Sequence, residues 1–416
     1  MNSMQKYNQI LYYVLFLTIV SFYSFGNFGF LNIFDIKREF QFILLLIILP
    51  ISLLIVIQNI KKLVYEPLFI LLVYLFVASL FVFSSNKFIL FTNLLSIFFV
   101  GVLLSVKKNQ LDFIIKGIVI LCTIFSLMGI LQFILMQLDK ELIFEMSMEY
   151  QTTTGSKGLS HTSLIEYLGF VVTNPIHHAF GIDFYRLKSF ASEPSALVYS
   201  FFIPGLLSFF YKGWFKLYGI IIIFFSIFLV ASGVIYLSIL LGSLFILFLK
   251  FFKISPKKMS FIIILSVILI FVLIAFVDLL PLLHFLAPSK MNSGNIRLTS
   301  ISTVIHNIIN NPLFCVNGCI PMGSAAIGFV LKSASIIPLL GLYFVLRLFY
   351  KLFINITIVV TRTYYYLIAG LIAGSIIQMM FFSAFGWTTI SGYIMLAIIY
   401  IKMQELAYEV KKYEKS

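Results

Sequence analysis

Runs of about twenty apolar residues, broken by short polar stretches, recur along the whole chain. Residues 42–57 and 261–277 are apolar without alternation, which fits helices crossing a hydrocarbon core of roughly 30 Å and not the strands of a barrel. The pattern predicts twelve spans, at about 10–30, 40–59, 67–84, 88–105, 112–137, 195–211, 217–231, 234–249, 260–279, 325–347, 362–382 and 386–402. The expected fold is all-α, a polytopic helical membrane protein forming one integral domain over 1–416. Two connections are long, 138–194 and 280–324. Their apolar pieces, 164–172 and 301–309, are expected to be short helices at the membrane interface.

Composition sharpens this reading. The 416 residues are 61% hydrophobic and 11% charged, with mean hydropathy +1.09, whereas a soluble domain is about a quarter charged. The net charge of +14 does not mark a nucleic-acid surface, because the cations are spread through loops and not gathered on one face. With both termini cytoplasmic, 19 of the 29 Lys and Arg residues fall in short cytoplasmic segments. That asymmetry is the positive-inside pattern, and it sets the two long loops outside. The first apolar run is full length and carries no cleavage site, so no removable signal peptide is expected. Cys122 lies mid-span, where a packing role is expected. Cys315 and Cys319, four apart in the second loop, form a disulfide only if that loop is oxidising.

The candidate chemistry lies in the outer loops. Arg186-Leu187-Lys188-Ser189-Phe190-Ala191-Ser192-Glu193-Pro194-Ser195 places two cations, a carboxylate and a proline where the chain returns to the membrane, and ionisable groups there are costly to hold. Arg186 either reaches lipid headgroups or clamps an anion with its guanidinium fork, Lys188 adding a point charge. Glu193 either caps the following helix or serves as a general base in a water-filled cavity. In the second loop Arg297 begins an amphipathic stretch with Ile301, Val304, Ile305 and Ile308, and the same two readings apply to it. His306 is a base, a hydrogen-bond donor or a structural residue. Lys332 either ends a span or faces protein or water within one. His161, His177 and His178 lack metal-ligand spacing, and neither a nucleotide-binding motif nor a Ser/His/Asp pattern occurs.

These residues resemble those of the O-antigen and capsule polysaccharide polymerases (Wzy) within the O-antigen ligase/polymerase family. Arg186-x-x-Ser189-x-x-x-Glu193-Pro194 is similar to that family's Arg-x-x-Gly-to-Pro signature ahead of a span. Arg297 followed by Asn311-Pro312-Leu313 and Gly318 is similar to its second outer-loop motif. The resemblance covers about a tenth of the chain. It implies polymerisation of undecaprenyl-diphosphate-linked oligosaccharide repeat units into O-antigen or capsular polysaccharide on the outer face of a bacterial inner membrane. That activity is a metal-independent glycosyl transfer needing no cofactor. Glu193 and His306 would be catalytic, and Arg186, Arg297, Lys188 and Lys332 would bind the diphosphate. Partners would be the lipid-linked donor and acceptor, membrane lipid and a chain-length regulator protein. Two departures bear on this. Ala231-Ser232-Gly233 lacks the Arg the family often has there, and Gly323-Ser324-Ala325-Ala326 lacks the His that ligases use as acceptor base. The second favours polymerase over ligase. A flippase or transporter of the lipid-linked unit is the alternative from another class, although no internal repeat of the kind transporters carry is visible.

Overall fold

A computed structural model describes residues 37–81, 87–138, 144–146, 164–167, 170–179, 182–189, 198–230, 233–252, 254–276, 338–382 and 390–413. Over these the protein is predominantly helical. In chain order the helices are α1 (Lys37–Leu63), α2 (Pro67–Phe81), α3 (Lys87–Ser105), α4 (Lys108–Leu138), α5 (Ile203–Ser208), α6 (Trp214–Phe224), α7 (Gly233–Phe252), α8 (Pro256–Phe276), α9 (Pro338–Arg362), α10 (Tyr366–Phe382) and α11 (Ile390–Tyr413). A π-helical turn, Val198–Phe202, runs into α5, and a second, Phe225–Leu229, continues α6. Proline opens α2, α8 and α9, where the missing N–H would have had no partner anyway. Lys61, Lys62, Lys250, Arg362, Lys411 and Lys412 sit in last turns, opposite in sign to the helix C-terminal dipole.

Among the described residues five stretches are long and apolar enough to cross a membrane: Leu46–Leu63, Lys108–Ile134, Val234–Phe252, Leu340–Arg362 and Ile390–Lys412. Their burial ranks them. The α11 stretch is 78% buried and forms the central post, against α3 and α9, while the α1 stretch is 28% buried and lies at the rim. The observed helices fall close to the expected spans from 40–59 through 260–279, and again at 362–382 and 386–402. The expected span at 10–30 lies outside the described residues.

One span is amended at its far end. The sequence placed a helix at 325–347 followed by a cation-bearing loop; residues 325–337 lie outside the described residues, but from Pro338 α9 runs unbroken past 347 to Arg362. Arg347 and Lys351 are therefore helical. Lys351 is accommodated because its ammonium meets the Glu66 carboxylate at 3.2 Å, and a paired cation does not end a membrane helix.

The all-α expectation also needs amendment. The loop 138–194 carries four antiparallel strands, β1 (Phe144–Met146), β2 (Leu164–Tyr167), β3 (Phe170–Ala179) and β4 (Ile182–Ser189), ordered β1-β2-β3-β4. Of the stretch 164–172, expected to be an interfacial helix, 164–167 form β2 and 170–172 the start of β3. Its run of Phe, Val, Val and Thr at 170–173 suits a pleated surface better than a helix.

The turns between α1 and α2, α3 and α4, α5 and α6, and α9 and α10 gather at one end. Lys62 donates to the Leu104 carbonyl at 2.8 Å, the Phe210 and Tyr365 rings stack edge to face at 4.9 Å, and the Lys250 ammonium lies 4.0 Å from the Tyr366 ring centre. The last turns of α11 join the same end through Lys108 and Glu409.

Among the described helices the closest pair is α7 and α10. A Cβ at Gly374 would lie 2.2 Å from the Ser238 carbonyl oxygen and 2.3 Å from the Gly242 nitrogen, and one at Gly242 would lie 2.7 Å from the Gly370 carbonyl oxygen. Ser238-x3-Gly242 thus meshes with Gly370-x3-Gly374, the small-residue packing that lets membrane helices touch along their backbones. Gly374→Ala is expected to force the pair apart and cost about 1–3 kcal/mol, the usual range for overpacking. A fall in the thermal midpoint of the purified protein checks this, and an unchanged midpoint would show the seam has room to spare.

Candidate functional site

Of the residues singled out by sequence, Arg186 and Lys188 lie on β4. Glu193, Arg297, His306 and Lys332 lie outside the described residues, as do Cys315 and Cys319. The local pairing around the two cations is irregular. Val171 pairs with Ser189 and Val172 with Leu187, so Lys188 is the extra residue of a bulge. Arg186 pairs with Thr173, but the next register pair is His177 with Phe184. The surplus on β3 falls at Asn174-Pro175-Ile176, where proline has no N–H to give the ladder. Bulges disrupt pairing and redirect the chain, often beside functional sites. His178 stands directly opposite Asp183. The sheet thus places Arg186, Lys188 and the paired histidines on its last two strands, and β4 lies against α4.

After β4 the chain enters the helical body through the first π turn. Val198, Tyr199, Ser200, Phe201 and Phe202 are all buried. The Cys122 thiol of α4 donates to the Ser200 carbonyl at 3.0 Å, so Cys122 packs within its span. The Phe201 and Phe225 rings, one from each π turn, are 5.5 Å apart. Wide turns of this kind recur at functional positions because they displace the regular ladder. Further along α10, one turn beyond Gly374, the fully buried Gln378 amide has no hydrogen-bond partner among the described residues on either its oxygen or its nitrogen. A buried amide left unsatisfied is costly, and nothing in the sequence singles it out.

The opposite end of the helical body holds two carboxylate clusters, whose lysines were counted from sequence among the cytoplasmic cations. In one, the Tyr211 hydroxyl donates to Asp112 Oδ1 at 2.6 Å and Lys402 Nζ donates to the same oxygen at 3.0 Å. Lys402 also meets Glu405 Oε2 at 3.1 Å, and Lys108 meets Glu405 Oε1 at 2.9 Å and Glu409 besides. Burial, and then the bond to Asp112, push the Tyr211 phenol well above its ordinary range. In the other cluster, Glu66 Oε2 accepts from Tyr400 at 2.8 Å and from Lys351 at 3.2 Å. The two share a design. In each, a carboxylate takes a phenol and an ammonium on one oxygen, and that ammonium stands 5.3 Å from the centre of the same phenol ring. The α9–α10 turn adds Tyr365, whose phenol is pushed up to about 12 by burial and by the neighbouring Tyr364 hydroxyl.

No family model, curated protein or solved structure matches this chain.

The Asp112 cluster predicts a mutational asymmetry. Lys402 is almost wholly buried, so Lys402→Met strands a carboxylate pair and should cost about 3 kcal/mol, as breaking a buried ion pair does. The double variant Asp112→Asn with Lys402→Met should recover part of that loss. Thermal unfolding of the four proteins in detergent measures the coupling, and additive losses would show that the two groups act independently.

Proposed function

We propose that the protein joins undecaprenyl-diphosphate-linked oligosaccharide repeat units into O-antigen or capsular polysaccharide at the outer face of a bacterial inner membrane. The observation that carries this reading is the position of Arg186 and Lys188. Both sit on a bulged strand that leads, through Glu193-Pro194, into a buried π turn of the helical body. Two cations where an extramembrane sheet meets the membrane suit a ligand with a charged head and an apolar tail.

In the proposed reaction a sugar hydroxyl of one lipid-linked unit attacks the anomeric carbon of another. The new glycosidic bond forms as the bond from that carbon to the diphosphate oxygen breaks, and undecaprenyl diphosphate leaves with the electron pair. Negative charge grows on the leaving group, and Arg186, Arg297, Lys188 and Lys332 offset it as preformed cations. Glu193 takes the proton of the attacking hydroxyl, with His306 as the other candidate. The diphosphate bond supplies the driving force, so neither a metal nor a nucleotide enters the scheme. Ligation to another acceptor shares the donor but would call for the histidine missing after Gly323.

A flippase reading draws on the two carboxylate clusters, since ionisable groups inside membrane helices often mark transport paths. Both clusters are knitted into helix contacts at the turn-bearing end. Asp112 is 26 positions from the end of α4 at Leu138, roughly 40 Å at helical rise, and it is from that far end that the chain runs on toward the sheet. Their place favours anchoring helices over handling the substrate.

Arg186→Ala and Arg297→Ala should each reduce the surface glycan to a single repeat while the protein still inserts, seen as a ladder collapsing to one rung on a glycan gel. Normal long chains from both variants would sink the clamp. Glu193→Gln should be equally severe if that carboxylate is the base, whereas near-normal polymer would leave it as a helix cap.

A further inference from the structure

We propose that the corner where α4 meets the α5–α6 turn binds the headgroup of an anionic phospholipid. Lys116 lies eight residues into α4, about 12 Å from its start. Its ammonium sits 5.3 Å from the Tyr211 ring centre and 5.6 Å from that of Phe215. The two rings are themselves 5.8 Å apart. Lys116 is thus held over an aromatic pair, a setting that fixes a cation without neutralising it. Lys212 and Lys216, each the residue after one of these rings, are exposed.

Among the described residues none of these three lysines has a carboxylate within ion-pair distance. The acidic groups of this corner are already engaged. Asp112 is held by Tyr211 and Lys402, and Glu405 by Lys402 and Lys108. Lys116 beneath the α5–α6 turn, and Lys212 and Lys216 on it, thus bring three ammonium groups to this corner, none of them in an ion pair among the described residues.

The surroundings choose the source of the anion. Phe113, Ile120 and Ile124 of α4 and Leu217, Ile220 and Phe224 of α6 are exposed large apolar residues flanking the cations. Trp214 is also exposed, and tryptophan favours the depth where headgroups meet acyl chains. A dissolved ion would meet only the cations. A phospholipid meets both parts, its phosphate at the lysines and its chains along the apolar rows. Lysines near an anionic surface each add to such binding.

The test is native mass spectrometry of the full chain in mild detergent, offered equal amounts of dioleoyl phosphatidylglycerol and dioleoyl phosphatidylcholine. The wild-type protein should retain the glycerol lipid preferentially. The triple variant K116Q/K212Q/K216Q should retain it about tenfold less, while K257Q/K258Q, an exposed basic pair at the start of α8, should retain it normally. Millimolar inorganic phosphate should not displace the lipid. Should the triple variant fold poorly, quenching of Trp214 by brominated phosphatidylglycerol, in a Trp387→Phe background, gives a second reading, and Lys116→Gln alone should weaken it. Equal retention of the two lipids, equal loss in the α8 control, displacement by phosphate, or quenching unchanged in Lys116→Gln would each overturn the site.

Discussion

The arrangement turns on the hold that two carboxylates have on α11. Tyr400 and Lys402 are two residues apart, so a helix turns them to nearly opposite sides. Tyr400 reaches Glu66 at the α1–α2 turn and Lys402 reaches Asp112 on α4. The most buried of the long apolar helices among the described residues is therefore tied, at one level, to two separate parts of the body. Within a membrane the apolar contacts between helices gain little over contacts with lipid, and polar ties of this kind fix the relative positions that packing alone leaves soft. Each ammonium also lies near a phenol ring that serves the same carboxylate, so the ion pair and the ring contact reinforce one another.

Toward the other end the constraint changes in kind. Where α7 and α10 approach, backbone meets backbone across Gly242, Gly370 and Gly374, and geometry substitutes for charge. Beyond that seam come the two π turns and the unpaired amide of Gln378. One end of the body is thus braced by ion pairs, while the end that leads to the sheet holds wide helical turns. Regularity declines in the direction of Arg186 and Lys188.

Much of the helical frame was legible because lipid solubility leaves a coarse record: a run of twenty apolar residues has few other uses. The failures came where a partner changed the meaning of a residue. Lys351 reads as a loop cation until Glu66, 285 positions away, is seen beside it. Asp112 and Lys402 read as charges at span ends until Tyr211 brings them together. Residues 164–172 read as an interfacial helix because they are apolar, yet the neighbouring strand that pairs with them decides the matter. For the site, the sequence singled out Arg186 and Lys188 by their charge near a membrane boundary, but the bulge at Lys188 arises from cross-strand register, which no single strand encodes. Gln378 was invisible because a lone glutamine in an apolar run carries no signal of its own.

The length of α9 has a corollary for the surrounding bilayer. Twenty-five residues extend about 37 Å at helical rise, more than a hydrocarbon layer of roughly 30 Å. Such a helix leans or overshoots. Because Lys351, near its middle, is fastened to Glu66, the lean has a fulcrum. Thinning or thickening of the lipid around the protein would then swing the Arg362–Tyr366 turn about that pivot, making α9 a lever of two nearly equal arms, the opposite one touched by α2 at Tyr74 and Phe344.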